Sequence, residues 1–347
     1  MFCATLSSLK NHPGLWGWGR AMLDPIRPFI DHQNVFILDG GLATELEKRG
    51  HNLNDPLWSA KILLEQPEAI RQVHSDYLWA GADCIISASY QASLPGLISR
   101  GLSREEAADL IRFAVQLAIE ARDQFWAVKA NRRGRLRPLV AASVGPYGAY
   151  LADGSEYTGA YDLDEAGLLE WHRPRWEILA NSGADLLACE TIPSFAEAKA
   201  LHHLLLATPE MPAWMSFACQ DGRSINDGTP IADCAQLLND VPNLVAVGIN
   251  CTPPRFLPEL ITAVQAHTDK QIIVYPNSGE AFDPETKTWL GQSDPSEFGT
   301  ISREWRKMGA LLVGGCCRTG PAHIQQIRDR TRPRHDNDHT VSRTADP

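Results

Sequence analysis

The sequence predicts an α/β fold, because short apolar runs rich in β-branched residues alternate with segments of helical periodicity. Eight such pairs follow one another, and polar or sulfur-containing residues gather where the apolar runs end. Alternation of buried strands and helices favours a parallel sheet. Eight units within a chain of 347 residues favour closure into a single-domain (β/α)8 (TIM) barrel over an open, doubly wound sheet.

Each predicted element follows from its pattern. The predicted strands cover residues 35–39, 82–89, 139–145, 184–191, 213–220, 244–251, 271–277 and 310–317. The helical segments cover residues 67–80, 104–130, 164–181, 194–207, 231–238, 255–267, 295–308 and 321–330. Several begin at a capping residue or an early proline, such as Ser103 and Pro321. Residues 145–161, which show no periodicity, are expected to form the loop after the third strand.

The barrel is assigned to residues 31–330. Residues 1–30 are rich in Trp, Gly and Pro without periodicity, and we expect an N-terminal extension that is not native or is poorly ordered. Residues 331–347 form a polar tail.

Composition narrows the choice of partners. The net charge of −10 disfavours nucleic acid and anionic membranes, because both attract basic surfaces. No apolar run approaches the roughly 20 residues of a membrane-spanning helix. Cysteines within apolar runs of a large acidic chain are typical of reduced thiols, so we expect a cytoplasmic protein. We expect its partners to be small molecules. We also expect the chain to be a monomer or a weak homo-oligomer.

Three cysteines are the sharpest chemical feature. Cys251 ends the sixth strand, and Cys316 and Cys317 end the eighth. Neighbouring strand residues normally point to opposite faces, so the strand must become irregular there, and Gly314 and Gly315 allow this. Three thiolates would leave one position of a zinc tetrahedron open, as catalytic sites do, and sulfur ligands favour Zn²⁺ over Mg²⁺ or Ca²⁺.

The spacing of these cysteines leaves other interpretations equally open. The adjacent pair could form a strained disulfide or be two ordinary thiols, because the pattern is not a closely spaced CxxC zinc motif. The other cysteines inside predicted elements are interpreted as small core residues; they are Cys84, Cys189, Cys219 and Cys234.

Several longer motifs resemble the homocysteine S-methyltransferase family. They are LDGGLATELEKRG (38–50), DPLWSAK (55–61), SASYQAS (87–93), SVGPYGAYLADGSEY (143–157), LLACETIP (186–193), GINC (248–251), VYPNSGE (274–280) and GGCCRT (314–319). The order is unbroken over nearly the whole chain, and the bacterial and plant branch that uses S-methylmethionine is the most similar. The resemblance implies a (β/α)8 barrel in which Cys251, Cys316 and Cys317 hold Zn²⁺.

The resemblance also implies a reaction, methyl transfer to the thiol of L-homocysteine to give methionine. A free thiol has a pKa near 8.5 and is deprotonated when a metal binds it. The catalytic group is therefore a zinc-activated homocysteine thiolate that attacks the methyl carbon of a sulfonium, and no protein base is predicted.

The amino-acid part of homocysteine needs partners of its own. Glu190 closes an apolar strand, where a carboxylate is costly unless paired, so it is predicted to bind the ammonium group. The family resemblance supports this role and implies that Asp39 shares it. A structural salt bridge is the alternative for Glu190. Backbone N–H groups of Gly40 and Gly41 could approach the carboxylate. Two further candidates, Asn250 and Asn277, lie at strand ends and either contact the substrate or orient the site.

The methyl donor is predicted less sharply. Aromatic faces suit a sulfonium cation, and the loops offer Tyr90, Tyr147, Tyr150, Tyr157, Trp58 and Trp289, although ordinary loop packing explains each equally well. S-methylmethionine and S-adenosylmethionine present the same reactive group, so the sequence does not rank them. The alternatives are a betaine- or corrinoid-dependent homocysteine methyltransferase and a non-catalytic zinc- or thiol-binding barrel.

Overall fold

A computed structural model of the chain describes residues 24–52, 59–283, 288–290 and 293–332. Its main sheet has eight parallel strands that form a nearly closed barrel, which confirms the predicted fold. The barrel strands are β1 (Phe36–Ile37), β2 (Cys84–Ile86), β3 (Leu139–Val144), β4 (Leu186–Ile192), β5 (Ala213–Phe217), β6 (Leu244–Asn250), β7 (Gln271–Tyr275) and β10 (Leu312–Val313). A short antiparallel hairpin of β8 (Ala281–Asp283) and β9 (Thr288–Leu290) was not predicted.

Helices connect consecutive strands. They are α1 (Arg27–Gln33), α2 (Leu42–Lys48), α3 (Ser59–Glu65), α4 (Pro67–Ala80), α5 (Leu94–Ile98), α6 (Arg104–Ala127), α7 (Tyr147–Leu151), α8 (Glu165–Ala180), α9 (Phe195–Ala207), α10 (Ile231–Leu238), α11 (Leu257–Gln265), α12 (Pro295–Lys307) and α13 (Pro321–Thr331). At the start of α6, Ser103 and Glu106 form the reciprocal capping box that the sequence predicts.

Two predicted boundaries need correction. Helix α1 begins at Arg27 and buries Phe29 and Ile30, which with Ile26 give the spacing of an apolar helix face. The packed barrel therefore begins before residue 31. The second correction is the loop at residues 145–161, which contains α7 and a 3-10 turn at Ser155–Tyr157. Residues 1–23, Trp58, the side chain of Trp289 and residues 333–347 lie outside the described part.

The packing of the core explains why the strand sequences are continuous runs of apolar residues. Parallel strands covered by helices are buried on both faces, and every residue of β4, β5 and β6 is buried. Cys84, Cys189, Cys219 and Cys234 are free and buried among these core side chains, as predicted. Among the helices of the described ranges, none has the length and apolar character that crossing a bilayer requires.

Strands β1 and β2 are the two ends of the strand order, and aspartate side chains bridge them. At the amino end, Asp83 accepts the N–H of Ile37 at 3.0 Å and donates its own N–H to the Ile37 carbonyl at 2.6 Å. At the carboxyl end, Asp39 accepts the N–H of Ile86 at 2.8 Å. Side-chain oxygens therefore take the place of part of a strand ladder at this seam.

Candidate active site

The three cysteines at the carboxyl ends of β6 and β10 come together. The sulfur atoms of Cys251, Cys316 and Cys317 all lie within 4.8 Å of one another, and those of Cys251 and Cys317 are 3.7 Å apart. Sulfurs bound about 2.3 Å from one tetrahedral zinc ion lie about 3.8 Å apart. All three thiols are free and partly buried, so this donor set fits a soft metal ion.

Irregular backbone makes this cluster possible. Strand β10 ends at Val313, four residues before Cys317, and a β-carbon at Gly314 would lie 2.5 Å from that of Leu38. Cys251 has a φ of 49°, in the left-handed region, immediately after β6. The prediction that the eighth strand stops being regular at its glycines is therefore correct, although the strand ends earlier than residue 317.

Backbone hydrogen bonds fix the positions of the thiols. The N–H groups of Cys251 and Cys316 donate to the carbonyls of Tyr275 and Pro276 at 3.2 Å and 2.8 Å. The N–H of Cys317 donates to Asn277 Oδ1 at 3.2 Å. The segment after β7 therefore holds both cysteine loops in place.

The thiols also perturb one another. Hydrogen bonds from the thiols of Cys251 and Cys316 hold the pKa of Cys317 well below its usual range. The pKa of Cys316 is raised by its own hydrogen bonds with the thiols of Cys251 and Cys317, and burial adds to this. The cluster therefore stabilises negative charge on Cys317, and a bound cation would extend this to all three sulfurs.

A cavity opens directly over the cysteines. Residues predicted for the site line it; they are Asp39, Gly40, Gly41, Tyr90, Tyr157, Glu190, Cys251, Cys316 and Cys317. The cavity is also lined by residues that the sequence pattern did not indicate, among them Thr44, Glu156, Thr191 and Tyr275. Tyr275 ends β7 and Thr191 follows Glu190 near the end of β4. Their position at the carboxyl end of a strand could have identified both as residues of the site. Glu156 lies within a motif already noted, but its loop gave no periodicity to place it.

Glu190 and Asp39 are buried acids on this cavity. The Ser143 hydroxyl donates to Glu190 Oε1, and burial raises the pKa of Glu190 to about 7. Burial raises the pKa of Asp39 well above its usual range, and the neighbouring charge of Glu190 adds to this. Within the described ranges neither forms an ion pair with Lys or Arg, so the structural salt bridge considered for Glu190 is not found there. Both are suited to a cationic ligand.

The glycines after β1 have a packing role. A β-carbon at Gly41 would lie 2.7 Å from the Cys316 carbonyl oxygen, and one at Gly40 would lie 2.9 Å from Thr319 Oγ1. The N–H of Gly41 donates to the Thr319 carbonyl at 3.0 Å. This donor already has an acceptor within the protein, so substrate binding by Gly41 stays a prediction that this contact does not support. Small residues here let the first loop pack against the cysteine loop.

Asn250 and Asn277 lie behind the site. Asn250 accepts the N–H of Thr191 and donates to its hydroxyl, both at 2.7 Å, which fixes Thr191 at a φ of 61°. Asn277 accepts the N–H of Cys317. Neither side chain is among those lining the cavity. These contacts favour the orienting role over direct substrate contact.

The four loop tyrosines predicted as candidates for the donor site fall into two pairs, one on the cavity and one away from it. Tyr90 and Tyr157 line the cavity. The rings of Tyr147 and Tyr150 instead pack against Trp171, with centroids 5.1 Å and 5.8 Å away. Ordinary loop packing therefore accounts for Tyr147 and Tyr150.

The cavity lies at the carboxyl ends of the strands of a (β/α)8 barrel, and it carries three thiols and two carboxylates without a Lys or Arg partner among the described residues. This is the arrangement of a (β/α)8-barrel enzyme with a thiol-containing active site. A family model described as homocysteine S-methyltransferase matches residues 36–331. The chain therefore belongs to the homocysteine S-methyltransferase family, whose members are methyltransferases acting on sulfur. The resemblance drawn from the sequence motifs is confirmed.

Individual relatives are similar over almost their whole length. Homocysteine S-methyltransferase YbgG of Bacillus subtilis is 55% identical over 305 residues, covering 88% of this chain and 97% of the relative. Homocysteine S-methyltransferase of Escherichia coli is 47% identical over 309 residues, covering 89% and 99%. The metallated crystal structure of the Escherichia coli homocysteine methyltransferase MmuM superposes with a TM-score of 0.79 at 46% identity, covering 88% of this chain and 100% of that one. Because that structure contains a metal, the similarity supports metal binding by the cysteine cluster of this chain.

Proposed function

We propose that this enzyme transfers a methyl group from S-methylmethionine, or from S-adenosylmethionine, to the thiol of L-homocysteine and so forms methionine. The observation that carries the proposal is the juxtaposition of three clustered thiols with two buried, uncompensated carboxylates on one cavity. A metal and an ammonium group are the partners that these two sets prefer. Homocysteine offers a thiol for the first and an ammonium group for the second.

We propose Zn²⁺ as the metal, held by Cys251, Cys316 and Cys317. Zinc on three thiolates supplies Lewis acidity that brings the pKa of a fourth, incoming thiol below neutral pH. Family membership and the sulfur spacing support this choice.

The residues around the cavity would position the acceptor. Asp39 and Glu190 are proposed to bind the ammonium group of homocysteine, with the Ser143 hydroxyl orienting the Glu190 carboxylate. The backbone N–H of Gly40 is proposed to face the carboxylate. Asn250 and Asn277 are proposed to act through Thr191 and Cys317, whose positions they fix.

The transfer step itself requires no acid or base from the protein. The acceptor sulfur forms a bond to the methyl carbon while the bond from that carbon to the donor sulfur breaks. The electron pair remains on the donor sulfur, which leaves as a neutral thioether. Since no proton moves in this step, the task of the chain is alignment of the two sulfurs and exclusion of water.

A donor assay tests the proposal. Zinc-loaded protein is incubated with L-homocysteine and S-methylmethionine, S-adenosylmethionine or betaine in separate reactions, and methionine is measured against a protein-free control. We expect methionine from a sulfonium donor. Methionine from betaine alone would identify the betaine-dependent activity instead. Methionine from none of them would overturn the proposal and leave a corrinoid-dependent enzyme or a non-catalytic thiol-binding barrel.

Two further expectations belong to this proposal. The enzyme is proposed to work in the cytoplasm, where the cysteine cluster stays reduced, and to be a monomer or weak homo-oligomer. Neither nucleic acid nor a membrane is expected as a partner.

A further inference from the structure

One carboxylate on the cavity is not used by the proposed acceptor site. Glu156 lines the cavity together with the cysteines, and its Oε2 atom is buried without a hydrogen-bond partner in the described part of the chain. A buried carboxylate oxygen without a partner is costly, because it has lost its hydration and gained nothing in return. This cost marks a place where a ligand group fits.

The backbone around Glu156 is fixed from two sides. Gly148 at the start of α7 packs so closely on the Glu156 amide nitrogen that a side chain at position 148 would collide with it. On the other side, Asn226 Nδ2 donates to the Glu156 carbonyl at 3.4 Å. The loop between β3 and α8 therefore presents the Glu156 side chain to the cavity from a defined position.

The surroundings of Glu156 favour a cation. Burial raises the pKa of Glu156, and the neighbouring charge of Asp153 adds to this. Tyr90 and Tyr157 line the same cavity, and aromatic faces attract cations. None of the ion pairs found among the described residues involves Glu156. A carboxylate and aromatic faces, with no Lys or Arg among the described residues that line the cavity, are the features of a cation-binding pocket.

We propose that Glu156, with Tyr90 and Tyr157, binds the positively charged methyl donor and selects it over its neutral, demethylated product. This inference rests on the proposed function, because a sulfonium donor is the cation that the reaction requires. Glu156 thereby becomes the determinant of donor affinity, while Asp39 and Glu190 serve the acceptor.

The chemistry of the step predicts which kinetic constant Glu156 controls. In the transfer a thiolate and a sulfonium both lose their charge, and the donor leaves as a neutral thioether. The Glu156 carboxylate therefore stabilises the bound cation more than the transition state, in which that positive charge has partly disappeared. An interaction of this kind lowers the KM for the donor and does not raise kcat.

The test compares Glu156→Gln with the wild type, both loaded with zinc. Glutamine keeps the shape and removes the charge, so we expect the KM for S-methylmethionine to rise about 10-fold or more, the scale of a charge–charge attraction in a partly desolvated site. We expect kcat to be unchanged or higher and the KM for homocysteine to be unchanged. Asp162→Asn is the matched control, because Asp162 is an exposed acid in the same connection and does not line the cavity.

Calorimetric titration of S-methylmethionine into each protein without homocysteine separates this inference from the proposed function. Weaker binding to Glu156→Gln than to wild type and Asp162→Asn supports the inference. Equal affinity overturns it, whether or not methionine is formed, and so does an increase in the homocysteine KM alone. Failure of the wild type to make methionine from either sulfonium donor overturns the proposed function by itself. Matching unfolding temperatures verify that the variants are folded.

Discussion

The two ends of the seam between β1 and β2 carry the same kind of residue in opposite electrostatic situations. At the amino end, Asp83 accepts hydrogen bonds from the Ile37 N–H, from Gln33 Nε2 at 2.6 Å and from Arg332 at 2.5 Å. At the carboxyl end, Asp39 accepts the Ile86 N–H, and no ion pair compensates it within the described ranges. Both aspartates are buried.

This difference separates a carboxylate that holds the fold from one that awaits a ligand. The Asp83 carboxylate is paired with Arg332 and accepts two further hydrogen bonds, so its charge is not buried without partners. Burial raises the pKa of Asp39 well above its usual range, and the nearby carboxylate of Glu190 adds to this instead of compensating the charge. Uncompensated charge at the carboxyl ends of barrel strands is where function is expected.

The cysteines extend this contrast and give the largest predicted effect. Cys251→Ser removes one ligand of the proposed zinc site, so we expect loss of stoichiometric zinc and a fall in activity on the order of 10³-fold. Cys234→Ala, which alters a buried thiol in α10, is the control and should keep both zinc and activity. Metal analysis and the methionine assay measure the two outcomes. A Cys251→Ser protein with full zinc and full activity would falsify the ligand assignment.

Asp39→Asn tests the uncompensated end of the seam. The amide can still accept the Ile86 N–H, so we expect little change in the free energy of unfolding. The lost charge should raise the KM for homocysteine by about 100-fold, the scale of a buried charge pair broken on one side. Steady-state kinetics and denaturant unfolding of the same preparation measure both. An unchanged homocysteine KM would show that Asp39 only closes the seam.

Asp83→Asn tests the compensated end and should show the reverse. It removes the counter-charge of the partly buried Arg332 and puts an amide NH2 group where one carboxylate oxygen accepted a hydrogen bond. We therefore expect a loss of about 2 kcal/mol of stability, below the full value for a buried pair. Activity per folded molecule should match the wild type at temperatures well below the transition. A large fall in kcat/KM with unchanged stability would contradict the division between the two ends.

The smallest effect is a pH dependence carried by Glu190. Its pKa of about 7 means that the carboxylate is mostly protonated below pH 7 and charged above it. The ammonium of homocysteine binds the charged form, so the KM for homocysteine should fall several-fold as pH rises from about 6 to about 8. Glu190→Gln should raise this KM and flatten its pH profile. An equally steep profile in Glu190→Gln would assign the titration to another group.

The sequence was sufficient for the barrel and for about half of the residues that line its cavity. Strand-end position alone placed Asp39, Glu190 and the cysteines correctly, because parallel barrel strands deliver their last residues to one face. The resemblance to a family added the reaction. Helix α1 was missed because its single turn of apolar spacing lies in a segment that otherwise lacks periodicity.

Side-chain contacts were beyond the reach of the sequence. Nothing in the pattern shows that the Gly41 N–H is already donated to Thr319, or that Asn250 binds Thr191, since both contacts join segments far apart in the chain. The role inferred for Glu156 likewise depends on a close approach between α7 and the following turn. Tertiary packing, not local propensity, decides such contacts.

X-ray absorption at the zinc edge counts the sulfur atoms bound to the metal. We expect three sulfur neighbours around zinc in the protein alone, one from each of Cys251, Cys316 and Cys317, and a fourth when L-homocysteine is added. The zinc–sulfur distance should be about 2.3 Å. A sulfur count that stays unchanged on addition of homocysteine would contradict activation of the acceptor thiol by this metal site.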